Sequence, residues 1–241
     1  KKFVILSGNS GTGKTKISKN FANLLGKSFD DSYDIDNKLI VPVGSDWTDN
    51  TKVLGFYNPI THLYQPTDIL KFILSAKVNS AIPYFLILDE MNLSHVERYF
   101  SDFLSAMESE EAIRLYKRDE NCKERIVPES IDLPENLFVT GTVNIDETTY
   151  MFSPKVLDRA NTIEFSNVNL SFPDNFNTSE PDKLENIEND FLKSKYLILK
   201  DCADYKVFLE KVCTNIEKLN QILVKANLHV GYRVRDEIAF Y

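Results

Sequence analysis

Short, continuous apolar runs alternate with amphipathic stretches over the first two thirds of the chain, the pattern of buried strands separated by helices. Phe3-Val4-Ile5-Leu6, Leu39 to Val43, Tyr84-Phe85-Leu86-Ile87-Leu88, Leu137 to Val143 and Thr162-Ile163-Glu164-Phe165 predict five strands. Between them Ile17, Phe21, Leu24 and Leu25 recur at helical spacing as far as Gly26. Thr67 is placed to cap a helix carrying Ile69, Leu70, Ile73, Leu74 and Ala76. Ser94 and Glu97 form a capping-box pattern ahead of Val96, Phe100, Phe103, Leu104 and Met107. Ser153-Pro154 predicts a further helix start, with the hydroxyl as cap and proline in the first turn. Two stretches break the alternation. Around Tyr57-Asn58-Pro59 a turn inside a hairpin insertion is expected, and the charged stretch from about Glu108 to Glu135 reads as a hairpin or loop.

Polar residues dominate from Asn167 to Asn189, after which Phe208, Val212, Ile216, Leu219 and Leu223 mark one face of a long helix. The division expected is an α/β core over 1–168, a linker over 169–189 and a small helical domain over 190–241, incomplete at its C-terminal end. The chain does not start with Met and stops at Phe240-Tyr241 within that helical pattern, so it reads as a piece of a longer protein.

Composition narrows the picture. Of 241 residues 43% are hydrophobic, enough for an ordinary core, and the formal net charge of −8 gives no overall attraction to nucleic-acid phosphates. Cys122, Cys202 and Cys213 stand far apart, with no histidine at ligand spacing. They read as reduced thiols of a cytoplasmic protein rather than a disulfide framework or zinc site. No apolar run reaches the roughly 18 residues of a membrane span.

The chemistry begins at Gly8-Asn9-Ser10-Gly11-Thr12-Gly13-Lys14-Thr15, directly after the first apolar run. The spacing Gly-x-x-x-x-Gly-Lys-Thr lets backbone N–H groups converge on a phosphate, while glycine supplies dihedrals that side chains disfavour. Lys14 reaches the outer phosphates and the Thr15 hydroxyl holds Mg²⁺ on this reading. Asp89 and Glu90 end the most apolar run, where an open α/β sheet binds its ligands. Asp89 is the expected second holder of Mg²⁺, through water, and Glu90 the group that polarises an attacking water. Asn144 ends another strand and is placed to orient that water. Against these stand plainer readings: solvated acids after a strand, and an asparagine making a turn.

Arg159 is a candidate arginine finger for a neighbouring subunit, or else a surface partner of Asp158 or Glu164. Arg233 and Arg235 could lean over a nucleotide from the helical domain, or pair with Asp236 and Glu237. His62, His95 and His229 are isolated, and Trp47, Phe56 and Tyr57 are expected to pack the insertion rather than recognise a ligand.

The glycine loop together with Leu88-Asp89-Glu90-Met91-Asn92, Thr142-Val143-Asn144 and Leu157-Asp158-Arg159 resembles the AAA+ superfamily. Leu88 to Phe100, Ala106-Met107-Glu108, Gly141 to Thr149 and Gly231-Tyr232-Arg233 are similar to its McrB-type branch of restriction and defence motors. The resemblance implies an α/β P-loop core with a five-stranded parallel sheet in the order 5-1-4-3-2, helices on both faces and a helical lid. It makes Lys14 and Thr15 Walker A, Asp89 and Glu90 Walker B, Asn144 sensor 1, Arg159 the finger and Arg233 sensor 2. It further implies GTP or ATP with Mg²⁺, a hexameric ring, DNA reached through other domains or the ring pore, and a nuclease subunit of the McrC type. Two other readings are a protein-remodelling ATPase of the MoxR or dynein-related kind and a nucleotide-gated scaffold that turns over poorly.

Overall fold

A computed structural model describes residues 2–29, 37–118, 120, 122–145, 150–166, 192, 204–226, 228 and 230–240. The chain forms two compact units, Lys1–Lys193 and Ser194–Tyr241. The linker expected over 169–189 lies outside the described residues.

The first unit is built on a parallel sheet of β1 (Phe3–Gly8), β2 (Lys38–Pro42), β5 (Tyr84–Asp89), β8 (Leu137–Asn144) and β9 (Asn161–Phe165), in the order β2-β5-β8-β1-β9. This labelling differs from the expected 5-1-4-3-2 because four short strands outside the sheet enter the count. Numbered among themselves, the five members read 5-1-4-3-2 from the β9 edge. The extra strands are two antiparallel pairs, β3 (Gly55–Asn58) with β4 (Leu63–Pro66), and β6 (Ile113–Arg114) with β7 (Ser130–Ile131). They are the hairpins expected near Tyr57 and after Glu108, and the short helix α2 (Thr51–Leu54) leads into the first of them.

Alternating side chains of β5 serve opposite faces of the sheet. Leu86 and Leu88 join Phe3, Ile5, Val139 and Val143 in the main core, under α3 (Asp68–Val78) and α5 (Ser101–Ser109). Phe85 faces the other way, onto Ala22 and Leu25 of α1 (Lys14–Phe29). The phase of α1 corrects the sequence reading, for Ile17 and Phe21 are about half exposed at 49% and 51% while Lys14, Ser18, Ala22 and Leu25 are buried. The helix leaves the glycine loop directly, and turning Lys14 inward fixes its phase one position from the most apolar stripe.

Two capping expectations also change. The Thr67 hydroxyl does accept from Leu70 N–H at 3.1 Å. Ser94, however, donates to Trp47 O at 2.6 Å, and α4 (Val96–Tyr99) starts from His95, so no capping box forms. Glu97 instead accepts the Ser153 N–H at 2.8 Å, and the Ser153 hydroxyl makes no cap to α6 (Pro154–Leu157). Burial opposes ionisation of Glu97, but the Ser153 bond and the nearby His95 hold its carboxyl below the ordinary value. The helix expected across Val96 to Met107 is interrupted at Phe100.

The hairpins are fastened by one carboxylate. Buried Glu124 accepts backbone N–H groups of Tyr64, Arg125, Ile126 and Val127 at 2.7–3.0 Å. Burial alone would raise its carboxyl, but these four donors bring it down to about 2. Tyr57 stacks on Tyr116 at 5.4 Å and Trp47 meets Tyr99 edge-on at 5.2 Å, while Phe56 remains exposed. In the second unit are α7 (Lys206–Val224) and α8 (Tyr232–Phe240). Asn220 joins them by bonding both the N–H and C=O of Val230.

Candidate functional site

The parallel register sets Gly8 beside Asn144 on one side and Phe165 on the other, so β1 delivers the glycine loop to the carboxyl edge of the sheet. Gly8 (φ 151°), Gly11 (φ 79°) and Gly13 (φ 87°) all occupy positive φ. At Gly8 an added Cβ would also stand 2.7 Å from Phe165 O, so both conformation and space require glycine. Around Gly11 and Gly13 nothing lies within 4 Å of such a Cβ, and the loop is open there. Thr12 Oγ1 donates to Asn9 O at 2.9 Å and closes the loop. Lys14 folds inward and its Nζ donates to Gly8 O at 2.9 Å, Asn9 O at 2.6 Å and Thr12 Oγ1 at 3.4 Å. A single ammonium thus gathers the loop into a ring, with α1 beginning at the same residue.

The second half of the site is a hydrogen-bonded path from α1 across the ends of two strands, β5 and β8. Thr15 Oγ1 donates to Asp89 Oδ1 at 2.6 Å, and Thr142 Oγ1 donates to the same oxygen at 2.7 Å. Thr142 Oγ1 also accepts the Glu90 N–H at 3.0 Å. Asn144 Nδ2 then donates to Glu90 Oε1 at 3.2 Å. Glu90 itself sits at φ 53°, a left-handed conformation that disfavours a residue with a Cβ and collects at functional sites. Thr15 and Asp89 are hard oxygen donors suited to Mg²⁺, and with its hydrogen turned to Asp89 the Thr15 oxygen keeps lone pairs for a cation. Groups of three or more histidine, cysteine or acidic side chains that could hold a metal are absent among the described residues.

The structure therefore brings together Gly8 to Thr15, Asp89, Glu90 and Asn144. It adds Thr142, which sequence reasoning passed over. Its signal was available: Thr142 stands two residues before Asn144, and alternate strand positions share a face.

Arg159 is not in this group. It precedes β9, whose first residue pairs with Val4 and whose last pairs with Gly8, so it lies at the opposite end of the sheet from the loop. Only 7% exposed, its guanidinium donates to Leu104 O at 2.7 Å and Lys155 O at 2.6 Å and forms an ion pair with Glu108. The partner is neither Asp158 nor Glu164, because the side chain turns inward over the end of α5. The side chain of Arg233 lies outside the described residues. Arg235 pairs with Asp236 at 2.5 Å and lies 5.1 Å from the Tyr232 ring centroid, as the helix-surface alternative expects. The His95 ring lies against that of Tyr150, tilted by 34° with centroids 3.8 Å apart, while His229 and Cys202 lie outside the described residues.

Fold and site together define an α/β protein with a lysine-bearing glycine loop and two strand-end carboxylates at the carboxyl edge of a parallel sheet. Comparison with protein families finds a match to a domain of unknown function (DUF8727) over residues 177–241. That stretch contains α7 and α8 and none of the sheet. No curated protein matches the chain. Among the described residues no helix is long and apolar enough to cross a membrane.

Proposed function

We propose that the chain is a nucleoside triphosphatase of the AAA+ type, binding GTP or ATP with Mg²⁺ in the glycine loop and hydrolysing the β–γ anhydride. The observation that carries this reading is the continuous path Thr15–Asp89–Thr142–Glu90–Asn144, which links the loop to one candidate base. Such a path would be surplus in a loop that served only as a turn.

Lys14 Nζ has its present acceptors in the loop carbonyls, and phosphate oxygens offer the same ammonium stronger, charged ones. The backbone N–H groups of the loop and the start of α1 favour the same anion. Thr15 and Asp89 would hold Mg²⁺, which would supply positive charge against the negative charge that develops on the phosphates. Glu90 takes a proton from water as the water oxygen bonds to the γ-phosphorus and the bond to the bridging oxygen breaks. Asn144 fixes Glu90 Oε1 and with it the direction in which the carboxylate faces.

The motor reading rests on the sequence resemblance to McrB-type proteins. It has the chain assemble into a hexameric ring, act on DNA through other domains or the pore, and work with a nuclease subunit of McrC type in the cytoplasm. In such a ring Arg159 would serve the neighbour's nucleotide and would first have to leave Glu108 and the two carbonyls it now holds. Arg233 would act from the lid.

Phosphate release from GTP and ATP, measured beside nucleotide binding, tests the assignment of Glu90. Glu90→Gln should retain binding and lose turnover by about 100-fold or more. Equal turnover by the variant removes Glu90 as the base.

A further inference from the structure

Strand β8 brings two polar side chains to the site, Thr142 and Asn144, and the hydrolytic steps above give a role of its own only to Asn144. The other, Thr142, is 2% exposed, so water cannot stand in for its hydroxyl. A hydroxyl has one hydrogen and can accept at its lone pairs. The Glu90 N–H is a donor and claims a lone pair at 3.0 Å, so the single hydrogen goes to Asp89 Oδ1 at 2.7 Å. The geometry points to Thr142 as a positioning residue that locks the metal-side carboxylate and the catalytic glutamate into one arrangement.

The backbone explains why a side chain is needed there. Pairing of β5 with β8 ends at Leu88 and Gly141. One residue later Asp89 is still held to the other neighbour, since Val43 N–H donates to Asp89 O at 2.9 Å. At Glu90 the chain turns into the left-handed region, φ 53°, and leaves the strand. Its N–H can no longer meet a carbonyl of β8 in the ladder. The Thr142 hydroxyl supplies that missing rung and satisfies a donor that would otherwise favour a different turn. Because the same hydroxyl donates to Asp89, any drift of Glu90 is transmitted to the oxygen that also receives the Thr15 hydrogen. Catalysis is sensitive to such drift, since a displacement of about 1 Å costs roughly 100-fold in rate.

This inference rests on the nucleotide-hydrolysing reading, but its backbone half can be read without nucleotide. Thr142→Val keeps the shape and removes the hydroxyl, Thr142→Ser keeps the hydroxyl, and Thr142→Ala is a second hydroxyl-free variant should valine fold poorly. Hydrogen exchange of the Glu90 amide, followed by NMR on the free chain, should accelerate about tenfold or more in the hydroxyl-free variants and stay near wild type in Thr142→Ser. With ADP bound, Mn²⁺ affinity read by electron paramagnetic resonance should fall in the same variants. Turnover should then drop by about tenfold or more at nearly constant KM for the triphosphate. A Thr142→Val chain matching wild type in Glu90 exchange and in Mn²⁺ affinity overturns the positioning role, as does a Thr142→Ser chain that behaves like valine. A wild-type chain that binds neither ADP nor Mn²⁺ with ADP overturns the functional reading, and the catalytic half of this one with it.

Discussion

The two ends of the same parallel sheet use buried polar side chains in opposite ways. At the carboxyl end Thr15, Asp89, Thr142, Glu90 and Asn144 bond mainly to one another, beside a loop that opens onto free space at Gly11 and Gly13. At the amino end polar side chains bond to the backbone of the core. Asn136 Nδ2 donates to Ala76 O, Asn79 O and Ile82 O at 2.7–3.0 Å, two hydrogens shared among three carbonyls. Arg159 likewise holds Leu104 O and Lys155 O. A network made mostly of side-chain to side-chain bonds can exchange partners with a ligand while the fold stands. A side chain that satisfies buried carbonyls cannot leave without exposing them to an apolar interior.

Substitutions can break this contrast, and the largest effect belongs at the loop end. Glu90→Gln should lower turnover by about 100-fold or more while shifting the unfolding midpoint by less than about 2 °C, because an amide can occupy the same place. A large loss of stability would show that the carboxylate serves the fold. At the other end Asn136→Ala should cost about 3 kcal/mol, lowering the midpoint by roughly 6–12 °C, and leave nucleotide affinity of the folded chain unchanged. Thermal unfolding with and without nucleotide separates the two.

Arg159 tests the boundary between the two kinds of end. Arg159→Ala should cost about 2 kcal/mol from the abandoned carbonyls in chemical denaturation. If Arg159 also serves a neighbour, mixing Arg159→Ala chains with Lys14→Ala chains should recover turnover that neither has alone. Absence of recovery in a mixed ring leaves Arg159 a fold residue only.

The smallest effect concerns Glu124, which fastens the hairpins. Its folded carboxyl lies near 2 against an ordinary 4.5, so its stabilisation is complete above about pH 4.5 and is lost as pH falls toward 2. Glu124→Gln should unfold about 1–2 kcal/mol more easily at pH 7, with the difference narrowing between pH 4.5 and 2.5. A gap independent of pH across that interval would contradict the four-donor account.

The strands and the loop were legible because their signals are local. An apolar run of β5 ending in Asp89-Glu90 and a glycine spacing ending in Lys14-Thr15 need no knowledge of their neighbours. The inward phase of α1 was hidden because Ile17 and Phe21 are more hydrophobic than the Lys14 and Ser18 that actually turn inward. Long-range partners were hidden too. Glu97 suits a helix cap by spacing, but its carboxylate is taken by Ser153, 56 positions away. Thr142 becomes visible only when the β5–β8 register brings it to Asp89, and the pairing of Arg159 with Glu108 depends on where α5 ends. Local pattern picked out the candidate residues, while tertiary contact decided which of them lie together.

Equilibrium binding of non-hydrolysable GTP and ATP analogues, with Mg²⁺, to the wild-type chain and to Lys14→Ala tests the central claim most directly. Saturable binding of at least one analogue by wild type is expected, weakened about tenfold or more in Lys14→Ala through loss of charge-assisted bonds to phosphate. No binding by wild type, or equal binding by Lys14→Ala, would contradict a phosphate-holding role for the glycine loop.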